Sequence, residues 1–191
     1  MLAPPKPEAS KRLESPYYVE GYAANFERYL LWDGGDARYF EEISPDAFAG
    51  ADMGDVVMQY DHSGKVLARN RNGTLGVEAD QNGLFVYADL SKSAASKEMY
   101  EEISAGLVDR MSWAFTVESE SMEELGGGDF LRRIERIKKV YDVSAVSCPA
   151  NDGTVISARS GIDPGAFEKF IKIKRHWARK RALKIRLEME A

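Results

Sequence analysis

Cysteine is nearly absent from this chain of 191 residues: Cys148 is the single thiol, so no internal disulfide can form and a reducing compartment suits it. Histidine is almost as scarce, at His62 and His176 alone. Two imidazoles and one thiol, far apart in sequence, cannot assemble a zinc site without carboxylates of unknown placement, so no metal or other cofactor is expected. No apolar run approaches the ~20 residues that cross a bilayer, and a membrane partner is not expected. Residues 1–16 carry Pro4, Pro5, Pro7 and Pro16 but no apolar stretch, which reads as a flexible arm and not a signal peptide. Gly126-Gly127-Gly128 is too short for a linker, and no Lys-Ser/Thr follows it as a phosphate loop requires. Repeats and low-complexity tracts are missing too.

What is present fits one full hydrophobic core: 44% hydrophobic and 30% charged residues. The net charge of −5 conceals an asymmetry. Residues 163–191 hold nine Lys/Arg against four Asp/Glu, a net of +5, which leaves −10 on residues 1–162. Such opposed halves attract each other or different partners. The expected organisation is therefore an arm (1–16), a body (17–160) and a basic C-terminal segment (161–191). In that segment Phe167, Phe170, Ile171, Ala178, Ala182, Ile185 and Met189 predict one long amphipathic helix over 166–189.

The body reads mostly as β-strands. Runs at 17–24, 37–43 and 56–60 are strand-like, and the last delivers His62 just past its end. Residues 74–79 and 84–90 flank Asp80-Gln81-Asn82-Gly83, whose Asn-Gly predicts a hairpin. Ala95, Met99 and Ile103 recur every four residues, so 91–105 predicts a helix, capped by Ser91 or Ser93 and closed by Gly106. Strands return at 110–118, then a loop at 123–128, then two more strands at 130–137 and 139–147.

The parts of a hydrolytic triad lie along this body. His62 is its one imidazole, with an ordinary pKa near ~6.5 that suits a general base. On a strand, Ser112 shares a face with Ala114 and Thr116 while Trp113, Phe115 and Val117 anchor the other, leaving room for a substrate carbonyl at Ser112. Asp142 would accept the imidazole N–H; Asp61, beside His62, competes for that role. Each residue also has a plain reading: a strand serine bonded to backbone, a histidine capping a strand end, an exposed carboxylate. Cys148, before Pro149, reads as a buried small hydrophobe more readily than as a nucleophile.

Taken in order, the segments resemble the prohead (capsid-maturation) serine proteases of tailed bacteriophages. The series runs Gly21-Tyr22-Ala23-Ala24, Glu41-Glu42-Ile43-Ser44-Pro45-Asp46-Ala47-Phe48, Tyr60-Asp61-His62, Gly73-Thr74-Leu75 and Asp80-Gln81-Asn82-Gly83-Leu84. It continues through Ile103-Ser104-Ala105-Gly106-Leu107, Met111-Ser112-Trp113-Ala114-Phe115 and Asp142-Val143-Ser144-Ala145-Val146-Ser147-Cys148-Pro149-Ala150-Asn151, covering residues 19–160. The resemblance implies His62 as general base, Ser112 as nucleophile and Asp142 as third member, where the family commonly has Glu. Trp113-Ala114-Phe115 stands where the family has a small residue, Gly and Phe.

It also implies an assemblin-like fold, a mostly β (α+β) closed antiparallel barrel of about seven strands with flanking helices, followed by the long C-terminal helix. Arg132 and Arg133 invite comparison with the assemblins' arginine pair near the oxyanion hole. The implied activity is a serine endopeptidase that cleaves scaffold and capsid-protein segments, and its own termini, inside the immature shell in the host cytoplasm. A homo-oligomer is compatible with this, and nucleic acid is not expected as a partner. The alternative is a catalytically inactive assembly protein of the same fold that binds scaffold.

Overall fold

The computed structural model describes residues 2–3, 12–35 and 37–147. The expected helix at 166–189, with His176, and Cys148 lie outside these residues. Ten strands and one α-helix follow in chain order: β1 (Leu2–Ala3), β2 (Tyr18–Asn25), β3 (Tyr29–Asp33), β4 (Arg38–Ile43), β5 (Val57–Tyr60), β6 (Ser63–Arg69), β7 (Leu75–Ala79), β8 (Gly83–Asp89), α1 (Ala94–Ser104), β9 (Arg110–Gly126) and β10 (Asp129–Val146).

The strands form two sheets, and neither closes. One has the order β1-β2-β8-β7; the other runs β3-β4-β10-β5-β6, with β9 on β10. This corrects the expected closed antiparallel barrel. Closure needs a hydrogen-bonded ladder between outermost strands, and among the described residues none joins one sheet to the other. Strand direction differs too, since β10 pairs in parallel with both β4 and β5. The expectation of helices flanking a barrel reduces, within the described residues, to α1 alone. A sandwich and a barrel demand the same inward alternation along each strand, so residue pattern could not separate them.

The sheets share one core. Val19, Leu84, Val86 and Ala88 from the first cluster with Ile43, Met58, Trp113, Phe115, Ile137 and Val140 from the second, all buried. On β8 the alternate residues Phe85 and Tyr87 lie off that core and form an aromatic row with Tyr22. The β7–β8 hairpin turns on Asp80, whose Oδ1 accepts the N–H groups of Asn82 and Gly83. Helix α1 starts at Ser93, which accepts the Ser96 N–H, and it buries Met99 and Ile103. Gly106, at φ 72°, ends it as the left-handed position after a helix requires.

Three features depart from the sequence reading. Strands β1, β3 and β6 were not anticipated, and β1 falls in the segment expected to be a flexible arm. The strands at 130–137 and 139–147 are one continuous β10. Residues 123–126 belong to β9, not to a loop, and the turn tightens onto Gly126, Gly127 and Gly128, all at positive φ. The end of the N-terminal segment is fastened to the body: Ser15 is buried, and its hydroxyl donates to Asp89 at 2.5 Å.

Candidate active site

His62 owes its position to a tight turn. Strands β5 and β6 pair Tyr60 with Ser63, which leaves Asp61 and His62 as a two-residue loop. Both have positive φ, 47° and 56°, the pattern of the type I′ hairpin turn whose twist matches the flanking strands. Side-chain-bearing residues resist this region, although Asp and His enter it more readily than most. The surroundings hold them there. The Asp61 N–H donates to the Ala145 carbonyl at 2.9 Å. Its carboxylate accepts the Ser147 N–H at 3.0 Å and the Ser147 hydroxyl at 3.0 Å and 3.2 Å. The turn is thus strapped to the end of β10, and Asp61 serves as the strap.

Asp142 owes its position to a β-bulge. Along β10 the buried residues Ile134, Ile137, Val140 and Val143 come every third position, which a flat strand cannot place on one face. The register with β9 passes over Glu135, Lys138 and Tyr141, and these three are exposed. They are the extra residues of bulges. Past Tyr141, Val143 and Ala145 point into the core opposite Trp113 and Met111. Asp142 and Ser144 therefore lie on the other face, opposite Ala114 and Ser112. Without the bulge at Tyr141, Asp142 would share Val140's face.

On that face Asp142 Oδ1 meets His62 Nδ1 at 2.8 Å and the Ser144 hydroxyl at 2.6 Å. Asp142 is 8% exposed and Ser144 fully buried. An ionised carboxylate only accepts, so Nδ1 carries the proton and donates, and Nε2 keeps its lone pair for a substrate-side proton.

Ser112 reaches the site through register. It sits on β9 directly opposite Ser144, half-buried, while Trp113 stacks on Phe115 at 3.9 Å between ring centres and fixes the strand from the core side. Residues directly opposed across antiparallel strands have Cβ atoms about 5 Å apart. Among the described residues no hydrogen bond joins the Ser112 hydroxyl to His62; the structure holds the His62–Asp142 pair formed and the serine one strand away.

Other sequence candidates separate from this cluster. Arg132 and Arg133 lie near the far end of the β9–β10 hairpin. Arg132 faces Met122 there, ten residues beyond Ser112 along β9. Arg132 is spent on Glu41 at 2.6 Å and Glu120 at 2.5 Å, and Arg133 on Glu42 at 2.8 Å. They supply nothing to an oxyanion at Ser112. Among the described residues, no three His, Cys, Asp or Glu side chains converge as metal ligands would, and no helix is long and apolar enough to cross a membrane. Ser144 and Ser147 were missed as site residues. The Asp-x-Ser spacing of 142 and 144 was a usable signal, because alternate strand residues share a face.

A family model described as Caudovirus prohead serine protease matches residues 7–170. No curated protein and no solved structure matches the chain.

Proposed function

The chain belongs to the caudovirus prohead serine protease family, and from that membership we propose that it is an endopeptidase with Ser112 as nucleophile, His62 as general base and Asp142 as the residue that orients the imidazole. One observation carries the assignment: the 2.8 Å contact between His62 Nδ1 and Asp142 Oδ1, made on the face of β10 that stands opposite Ser112.

In this reading His62 Nε2 takes the Ser112 hydroxyl proton as the oxygen attacks a peptide carbonyl, and Asp142 stabilises the imidazolium that forms. Backbone N–H groups stabilise the oxyanion. The imidazolium returns its proton to the leaving amine, leaving an ester on Ser112. His62 then takes a proton from water, whose oxygen attacks the ester, and returns that proton to the Ser112 oxygen as the acyl bond breaks and the new carboxyl end is freed. The substrates are segments of scaffold and capsid protein within the immature shell, and the protein's own termini.

The test is intact-mass spectrometry of wild type beside Ser112→Ala, incubated over hours at neutral pH, with parallel labelling by a fluorophosphonate probe. Fragment loss and labelling at Ser112 in the wild type only support the reading. Removal of a triad member costs on the order of 10⁴–10⁶ in turnover, so the variant should be silent over that period. Absence of both signals in the wild type, alone and co-expressed with the capsid protein, favours an inactive assembly protein instead.

A further inference from the structure

We propose that Ser144 is a positioning residue of the catalytic group, holding the Asp142 carboxylate in the orientation that aims His62 at Ser112. The inference rests on the active-site reading above and adds a fourth member to it.

Three observations converge. The Ser144 hydroxyl donates at 2.6 Å to Asp142 Oδ1, the oxygen that also takes His62 Nδ1. Ser144 is fully buried, so water cannot replace that bond. It also stands directly across from Ser112 in the antiparallel register. A carboxylate held by one donor can still swing about its Cβ–Cγ bond, whereas two donors converging on Oδ1 fix the torsion. The second donor also draws charge from Oδ1, which keeps the shared proton on Nδ1 and leaves Nε2 as the acceptor.

The backbone makes this pairing possible. The bulge at Tyr141 sends Asp142 and Ser144 to one face and Val143 and Ala145 to the core. Ser144 is not a second nucleophile: it is 0% exposed and its proton is committed to Asp142, while Ser112 is only half-buried on the neighbouring strand.

The experiment compares the full-length wild type with Ser144→Ala, Ser144→Cys and Ser112→Ala. One readout is the rate of fluorophosphonate labelling, resolved into probe affinity and reaction step. The other is the proton NMR signal of His62 Nδ1–H, identified by its loss in His62→Gln. Ser144→Ala should slow the reaction step on the order of tenfold, the scale of one net hydrogen bond, with probe affinity unchanged. It should also broaden the Nδ1–H signal. Ser144→Cys, of similar size and a weaker donor, should recover part of both.

Labelling at the wild-type rate with an unchanged Nδ1–H signal in Ser144→Ala overturns the inference. So does a rate that falls only in step with melting temperature and is not rescued by cysteine, which marks a packing role. If labelling persists in Ser112→Ala, or wild type does not label, the active-site reading has failed and the positioning role falls with it. An Nδ1–H signal that still depends on Ser144 would then show that its contact with Asp142 holds and that only the catalytic reading has failed.

Discussion

Asp142 accepts two hydrogen bonds on one oxygen while almost fully buried, so its replacements separate charge from shape. Asp142→Asn keeps the volume, but its amide can donate to Nδ1 and drive the imidazole proton onto Nε2, where it blocks proton uptake from Ser112. Labelling of Ser112 should then fall by about 10³–10⁴, with little change in melting temperature, as wrong-tautomer substitutions do. Asp142→Glu keeps the charge and adds one methylene beside the fully buried Ser144, so it should retain more activity than the amide. The measurement is the labelling rate of both variants at neutral pH; an asparagine variant as active as wild type would remove Asp142 from the mechanism. At this scale placement was legible in part, because scarcity drew attention to His62 and strand alternation put Ser112 on the face it shares with Ala114. The competitor Asp61 could not be dismissed from sequence, since its engagement with Ser147 depends on where β10 ends. The distance of Arg132 and Arg133 from the site was equally hidden, because it depends on how far β9 and β10 continue past it.

In the proposed mechanism the turn that carries His62 is the element on which activity hangs. A left-handed aspartate is tolerated there because its short polar side chain finds a local partner, and the Ser147 bonds supply one. Asp61→Ala keeps the unfavourable φ and loses those bonds, for an expected cost of about 1–3 kcal/mol. Asp61→Gly loses the same bonds but relieves the Cβ crowding, so it should be the more stable of the two. Both should slow Ser112 labelling, because the turn then keeps its backbone bond to Ala145 and the His62–Asp142 contact but loses the carboxylate bonds to Ser147 that fix it. Urea unfolding beside labelling rates checks this order, and an alanine variant with wild-type stability and rate would show that the strap is unnecessary. Elements with a clean period were legible in the sequence: β8 with Leu84, Val86 and Ala88, or α1 with Met99 and Ile103. Strand β6 was not, because Ser63, Gly64 and Lys65 are exposed and owe their strand geometry to the turn before them. The three-residue spacing of Ile134, Ile137, Val140 and Val143 fits neither strand nor helix until the bulges are known. That spacing is how the bulge placing Asp142 was both written in the sequence and unreadable from it.

For the whole molecule, residue pattern specified inward and outward faces but not how sheets end, and so the open two-sheet arrangement was beyond its reach. The same holds for long-range polar contacts such as the one that ties the segment before β2 to the first sheet. Ser15 donates to Asp89 Oδ1 at 2.5 Å and accepts the Tyr17 N–H at 3.0 Å, while Tyr17 O receives the Leu90 N–H at 2.9 Å. Asp89 also receives the Ser91 N–H and hydroxyl, both at 3.0 Å, and Lys92 at 3.1 Å. Burial pushes the Asp89 carboxyl up, but the donors from Ser15, Ser91 and Lys92 outweigh it and bring the pKa from 3.8 to about 2. A carboxyl depressed on folding stabilises the folded state fully above its unfolded pKa. That contribution drains away as pH falls through the folded one. The clasp should therefore contribute about 2 kcal/mol at neutral pH, most of it lost between about pH 4 and pH 2. Asp89→Asn accepts fewer and weaker bonds and cannot titrate, so it should be less stable at pH 7. The gap to wild type should narrow progressively between pH 4 and pH 2. Urea unfolding followed by tryptophan fluorescence at pH 7, 4 and 2.5 reads that difference. A gap that stays constant across the three pH values would show that Asp89 is not the group through which acid loosens this end of the chain.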